Sequence, residues 1–281
     1  MSHKTSFALC LLALVAAAAS GAALPGSEDP YRILITNDDG IDSPGVAALV
    51  DVLGEGADVV VVAPDGNRSG SSHATMPFDE VMRVAPFRRE GRLLGYEVSG
   101  MPADATRFGL THVGRDEPFD LVVSGINQGE NVGLLAHLSG TVGAAKEALL
   151  SGVPAIAVSQ SRRRGDDYLT AARFTAQVVE RVRARGLPPG VMLSINVPGG
   201  DLVGAAAARM AGYEFDVKGY VEDGTDGEAT LYRLDLGFQW PREGGDTRSF
   251  ANGYVTVTPI RLDMTDYRTL GELADWDLAL R

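Results

Sequence analysis

The sequence predicts an α/β protein, a mostly parallel sheet flanked by helices with an antiparallel excursion at its C-terminal end. Three observations predict it. Short apolar-rich runs recur at residues 33–35, 59–62, 119–123, 155–158 and 191–197, and an uninterrupted one such as 59–62 suits a strand buried on both faces. Segments of helical spacing lie between them. Several of the runs end in clusters of Gly, Asn, Asp and Ser, residues that turn the chain.

The first run, Ile33-Leu34-Ile35, stops at Asn37-Asp38-Asp39-Gly40. In a continuing strand two adjacent carboxylates would point to opposite faces. At a strand end followed by Gly40 the backbone turns, and both can converge on one point. Like charges that close repel, and a divalent cation with oxygen ligands is the simplest neutralising partner. An ordinary turn is the other reading of the same four residues. Ser43-Pro44-Gly45 starts a helix with the stripe Val46, Leu49, Val50 and Leu53, ending at Gly54. Residues 58–63 form the second strand, so the chain begins strand, helix, strand, with the crossover that a parallel pair requires.

Residues 64–72, Pro-Asp-Gly-Asn-Arg-Ser-Gly-Ser-Ser, are either a solvated connection or a site loop. In the second case Ser69 offers an oxygen ligand and Arg68 a charge for a phosphate. Residues 79–100 read as an irregular hairpin with strands at 81–84 and 94–98, and residues 102–113 as a helix. The run at 119–123 ends in a Gly- and Asn-rich loop, residues 124–133. Asn carbonyls suit a hard cation, and the glycines let backbone N–H groups approach an anion. Ser139-Gly140-Thr141 opens a helix over 142–150, as a cap or as an anion site.

A strand at 155–158 is followed by Arg162-Arg163-Arg164, read as a solvated face. A long helix covers 167–185, and a strand 191–197. Beyond Pro198 the alternation in residues 231–236 and 254–260 indicates antiparallel strands. The domain plan is residues 1–23 as a signal peptide, 24–31 as a linker, 32–200 as the α/β core, and 201–281 as an extension that completes that core.

The chain has 281 residues, 45% of them hydrophobic, and a net charge of −12. That charge argues against a general nucleic-acid binder. Residues 1–23 carry Lys4, then an apolar stretch at 7–19, then small residues with cleavage points after Ser20, Ala22 or Ala23. This is a secretory signal pattern, with an uncleaved anchor as its alternative. The expected location is periplasmic or secreted, with no membrane segment after cleavage. The single cysteine, Cys10, lies in that stretch, so the mature chain has no disulfide or thiolate metal site. No Gly-x-Gly-x-x-Gly follows a strand, which argues against a dinucleotide-dependent oxidoreductase.

Three polar loops thus each follow a predicted strand, and in an open parallel sheet such loops share one edge. Asp38, Asp39, Ser69 and Asn127 can meet there around one cation. Their all-oxygen donor set fits Mg²⁺, Mn²⁺ or Ca²⁺ better than zinc. A cation beside an anion cradle suggests a phosphate ester.

Four blocks in order make the reading specific: Ile-Thr-Asn-Asp-Asp-Gly-Ile, Ala-Pro-Asp-Gly-Asn-Arg-Ser-Gly, Val-Ser-Gly-Ile-Asn-x-Gly-x-Asn and Ser-Gly-Thr-Val. Together they resemble the SurE family of stationary-phase survival proteins, metal-dependent nucleotidases and acid phosphatases. The likeness covers residues 32–160 and returns at 194–198 and 253–259. It implies a Rossmann-like core, one divalent cation per subunit (Mn²⁺ or Mg²⁺), and hydrolysis of nucleoside 5′- and 3′-monophosphates, which makes a nucleotide the small-molecule partner. It also implies homodimers or homotetramers with exchanged C-terminal segments. By motif match, Asp38, Asp39, Ser69 and Asn127 hold the metal, and Asn131, Ser139, Gly140 and Thr141 the phosphate. Leu138, where the family often has Tyr, the loose block at 100–106, and Lys146 depart from the pattern.

The mechanism expected is attack of water on phosphorus, with Asp38 or Asp39 as base and Arg68 stabilising the phosphoryl oxygens; a phospho-aspartate route is the variant. His73, His112 and His137 are expected to be structural or superficial. The competing reading is an exported nucleotide- or phosphate-binding protein without turnover.

Overall fold

The first apolar run becomes β1 (Arg32–Thr36), and it lies deep inside a nine-stranded sheet. Ile33, Leu34 and Ile35 are wholly buried. Alternation sends Ile33 and Ile35 to one face and Leu34 to the other, so the strand contributes to two separate apolar clusters. The computed structural model describes residues 30–212, 215–238 and 244–276. The expected signal peptide, residues 1–23, lies outside the described residues.

Beside β1 run β2 (Asp58–Pro64) and β5 (Leu121–Gln128), both parallel to it. Outward from β2 come β4 (Arg92–Val98) and β3 (Val84–Arg89). Outward from β5 come β6 (Ala155–Gln160), β7 (Val191–Val197), β11 (Tyr254–Arg261) and β8 (Gly204–Ala207). The chain builds to one side of β1 first and then returns to build on the other. The crevice between β1 and β5 is therefore a topological switch point, where the loops leave the sheet in opposite directions. Within this sheet, among the described residues, only β3 against β4 and β7 against β11 are antiparallel.

Helices cover both faces. α1 (Pro44–Leu53) and α4 (Leu169–Arg185) close one, with Leu49, Val178 and Val179 in its cluster. α2 (Pro102–Phe108) and α3 (Gly140–Leu150) close the other, through Ala105, Ala145 and Ala148. The start of α1 is the expected one: Ser43 is the N-cap, its hydroxyl accepting the Val46 N–H, and Pro44 fills the first turn. The helix expected at 102–113 ends in a wide turn, Gly109–Val113, in which the Gly114 N–H reaches the Gly109 carbonyl.

Two expectations need correction. The hairpin's first strand starts at Val84 and runs to Arg89, so Val81 is not in it and is 92% exposed. The turn is Glu90-Gly91, both residues at positive φ, the tight two-residue form that matches strand twist. The second correction is β5, which continues through Gln128 into the stretch read as a loop. A register shift between Ser124 and Asn127 lets Asn127 and Gln128 pair with Ser159 and Gln160 of β6.

Past residue 200, β8 and β11 extend the main sheet. β9 (Phe215–Asp226) and β10 (Ala229–Phe238) form a separate antiparallel ribbon with Tyr220, Val221 and Tyr232 exposed. Then come α5 (Asp246–Ala251), before β11, and α6 (Tyr267–Leu273), after it. Among the described residues, no helix is long and apolar enough to cross a membrane.

One buried carboxylate wires this C-terminal part to the sheet edge. Asp246 is 2% exposed and accepts N–H bonds from Gly133, Ala211 and Thr247 at 2.9, 2.9 and 2.8 Å. Truncation strands all three buried donors, at about 1–3 kcal/mol each before relaxation. Asp246→Ala is expected to lower the thermal midpoint by roughly 6 °C or more. A midpoint within 1 °C of wild type, in about the same scan, would show that the Gly133 loop does not depend on it.

Candidate active site

The site is built where β1 ends in the switch-point crevice. Asn37, wholly buried, donates from Nδ2 to the Gly40 carbonyl and to Ser43 Oγ, both at 2.8 Å, and so ties the turn to the cap of α1. Gly40 takes φ +105°, a conformation costly for any side chain. Asp38 and Asp39 then leave in different directions. Asp38, 2% exposed, meets the start of α3: Thr141 Oγ1 donates to its Oδ1 at 2.5 Å. Asp39 turns to the end of β5, its Oδ2 accepting the Gln128 N–H at 3.0 Å.

The first turn of α3 is cut to fit Asp38. Ser139 caps it, accepting the Val142 N–H at 3.2 Å. A methyl group at Gly140 would lie 2.8 Å from Asp38 Oδ2 and 2.6 Å from Ser71 Oγ, so only glycine fits there. The carboxylate thus occupies a helix N-terminus, where the dipole and free N–H groups favour negative charge.

The expected loop after β2 folds over the same point. The Arg68 N–H donates to the Asp38 carbonyl at 2.7 Å. Ser69 is exposed, its N–H bonded to Asn67 Oδ1 at 2.9 Å. The loop is held down further along by Ser72, which donates to the His137 carbonyl at 2.6 Å, and by His73, whose Nε2 lies 2.9 Å from Glu147 Oε2. Burial would raise the Glu147 carboxyl, but hydrogen bonds from His73 and Arg107 outweigh it and hold it low. His73 is therefore a structural anchor, His112 stacks on Phe108, and His137 is exposed.

The remaining expected residues divide. Asn127 donates from Nδ2 to the Gly129 carbonyl at 2.7 Å, which leaves its carbonyl oxygen as the free group. Asn131 is tied into the interior: its N–H goes to Asn196 Oδ1 and its Nδ2 to Ser159 Oγ. Arg68 is committed to Asp65 at 2.8 Å, and Asp65 also meets Arg83 at 2.9 Å.

Sequence reasoning missed four contributors. Gln128 acts through its main chain, which no residue type announces. Ser71 Oγ is buried beside Asp38 and has no partner among the described residues. Tyr168 and Gln128 line a cavity of about 360 Å³ with Asp39, Asp42, Ser43 and Asn67. The arginine triplet is not one uniform face: Arg164 binds the carbonyls of Pro198 and Gly200, while Arg162 reaches the Gln128 carbonyl. A larger apolar groove, about 500 Å³ along α4, shares no residue with the site and carries no reactive group beside Asp39.

Both carboxyls are pushed above the ordinary carboxylate range. For Asp38 the cause is burial first, opposed by the Thr141 hydroxyl and reinforced by Asp39. For Asp39 it is burial, opposed by the Gln128 N–H and the Arg162 charge. Among the described residues no three His, Cys, Asp or Glu side chains cluster as a metal site. The donors present are two carboxylates, an amide oxygen and serine hydroxyls, one of them orphaned. That set fits a hard divalent cation, whose charge would offset two neighbouring carboxylates.

Comparison with known proteins gives one family. The model described as "Survival protein SurE" matches residues 33–217. A 5'-nucleotidase SurE of Geobacter metallireducens is 39% identical over 260 residues, 88% of this chain and 98% of that one. One from Desulfatibacillum aliphaticivorans is 39% identical over 251 residues, covering 87% and 98%. The crystal structure of the SurE protein from Aquifex aeolicus superposes with a TM-score of 0.75 at 33% identity, covering 86% of this chain and 98% of that chain.

The raised carboxyls have a consequence for stability. Folded Asp38 and Asp39 hold protons more tightly than the unfolded chain does. Their contribution is present in acid, below the ordinary value of about 3.9, and is lost as pH rises through the raised values. Metal-free Asp38→Asn is expected to be more stable than wild type at neutral pH, by about 0.5–2 kcal/mol, with the gap shrinking toward acid. Melting curves in EDTA across that range check it; a variant less stable at neutral pH than in acid, relative to wild type, contradicts it.

Proposed function

The chain belongs to the SurE family, and on that premise we propose that it is a nucleotidase, a divalent-cation-dependent phosphomonoesterase that converts nucleoside 5′-monophosphates, and 3′-monophosphates, to nucleoside and phosphate. The observation that carries this reading is a pair of adjacent carboxylates at the end of β1, Asp38 held by Thr141 at the N-terminus of α3 and Asp39 held by the Gln128 N–H at the end of β5, next to Asn127. Two adjacent carboxylates alone would repel a phosphate dianion. With Asp38, Asp39, Asn127 and the Ser69 loop around Mn²⁺ or Mg²⁺, the same pocket attracts one. The cation, when bound, supplies Lewis acidity toward a phosphoryl oxygen and toward water.

The chain's own residues do the rest. Thr141 holds Asp38 by one oxygen, leaving Oδ2 at the crevice beside Gly140. Asp39, held by the Gln128 N–H, borders the 360 Å³ cavity, which gives a nucleoside leaving group a polar wall. Either carboxylate, with its raised proton affinity, is suited to take a proton from attacking water. The export pattern at residues 1–23 supports a periplasmic or secreted enzyme that scavenges organic phosphate. The exposed apolar residues of β9 and β10 support assembly into a homodimer or homotetramer.

Phosphate release from a panel of nucleoside 5′- and 3′-monophosphates and an aryl phosphate tests the proposal. Turnover is expected with Mn²⁺ or Mg²⁺, to vanish in EDTA, and to fall at least about 100-fold in Asp38→Asn. Folded protein that binds a nucleotide and releases no phosphate with either metal is instead a binding protein.

A further inference from the structure

The proposed reaction needs positive charge at the mouth of the site, and the arginine expected to supply it is engaged elsewhere. Arg68 pairs with Asp65 at 2.8 Å. The cavity beside Asp39 is lined by three further carboxylates, Asp42, Asp65 and Asp166. A phosphate monoester approaching from that side meets repulsion unless a cationic side chain faces it.

Arg162 borders that cavity through Gln128, a residue of its wall. It follows β6 by two residues, and β6 pairs with the end of β5 through Gln160 and Gln128. Its Nε donates to the Gln128 carbonyl at 3.2 Å, and the N–H of Gln128 is the group that holds Asp39. One residue thus joins the guanidinium to the reactive carboxylate. The fit is close: a methyl group at Gly129 would lie 3.4 Å from Arg162 Nε. Among the described residues Arg162 makes no ion pair, and its terminal nitrogens carry no hydrogen bond to protein. A planar fork fixed at Nε with both Nη groups open matches a phosphoryl group bidentately.

We propose that Arg162 binds the phosphate monoester of the substrate at the Asp39 side of the crevice. The inference rests on the phosphomonoesterase reading and names a binding residue that the arginine triplet conceals. Arg163, its neighbour, is exposed and packs its Cβ against Gly199, so it serves as the control.

The test uses the mature chain with Arg162→Gln, Arg162→Lys and Arg163→Gln. Steady-state kinetics on a nucleoside 5′-monophosphate and an aryl phosphate are read together with competitive inhibition by inorganic phosphate. Loss of a charge-assisted bond predicts that Arg162→Gln raises KM and the phosphate inhibition constant by about tenfold or more. The factor should be the same for both substrates, because the phosphate is what they share. kcat should change less, Arg162→Lys should recover part of the loss, and Arg163→Gln should match wild type. Values for Arg162→Gln within about twofold of wild type overturn the proposal. So does a loss confined to kcat, or an Arg162→Lys as impaired as Arg162→Gln, either of which marks a role in holding the Gln128 loop. If wild type releases no phosphate, the functional reading fails, and calorimetric titration of inorganic phosphate still decides Arg162: equal affinity in wild type and Arg162→Gln, or no binding to wild type, overturns it.

Discussion

The contact between Asp38 and Thr141 is the constraint on which the rest of the site depends. It joins the end of β1 to the start of α3, residues 103 apart in sequence. A carboxylate buried to 2% exposure is costly, and the first turn of α3 offsets that cost with a hydroxyl and the positive end of its dipole. The contact also dictates what surrounds it. Gly140 has no room for a side chain, and Gly143 has none either, since a methyl there would lie 2.0 Å from the Ser72 carbonyl. The loop after β2 can therefore lie directly on α3, bringing Ser71 to Asp38. Small residues on the helix are what allow the approach of three chain segments to one carboxylate.

Much of the scaffold was legible because its signals are local. β1, β2 and β7 are apolar runs bounded by turn residues, and α1 carries both its cap and its stop. The failures have physical causes. Gly125 and Asn127 have loop composition, but pairing with β6 outweighs it and carries β5 to Gln128. Pro86 lies inside β3 where a proline usually ends a strand. An edge strand tolerates it, and β3 is the edge.

The site divides in the same way. Asp38, Asp39 and Asn127 could be placed because each sits at or near the end of a strand beside the switch point, and strand ends are readable. What a charged side chain does there was not readable. Arg68 and Arg162 look alike in sequence. One is neutralised by Asp65 three residues earlier, whereas the other is fixed by a carbonyl 34 residues away and keeps its charge open. Asp246 lies 113 residues from the Gly133 it holds, and no local pattern marks a carboxylate whose work is to bind three amides.

The net charge of −12 would seem to oppose an anionic substrate, but distance decides otherwise. At physiological ionic strength exposed charges are screened over about 8 Å, so most of the acidic surface is invisible from the crevice. Inside that radius the balance is set by few groups. Asp65 is neutralised by Arg68 and Arg83, and Asp38 is offset by the α3 dipole. Asp42 and Asp166 are exposed, where solvent weakens their repulsion. Asp39 is the half-buried acid without a helix terminus of its own, and the charge of Arg162 reaches it. An acidic protein can thus present a locally attractive site, provided each buried carboxylate is answered by a donor of its own and one guanidinium is left over.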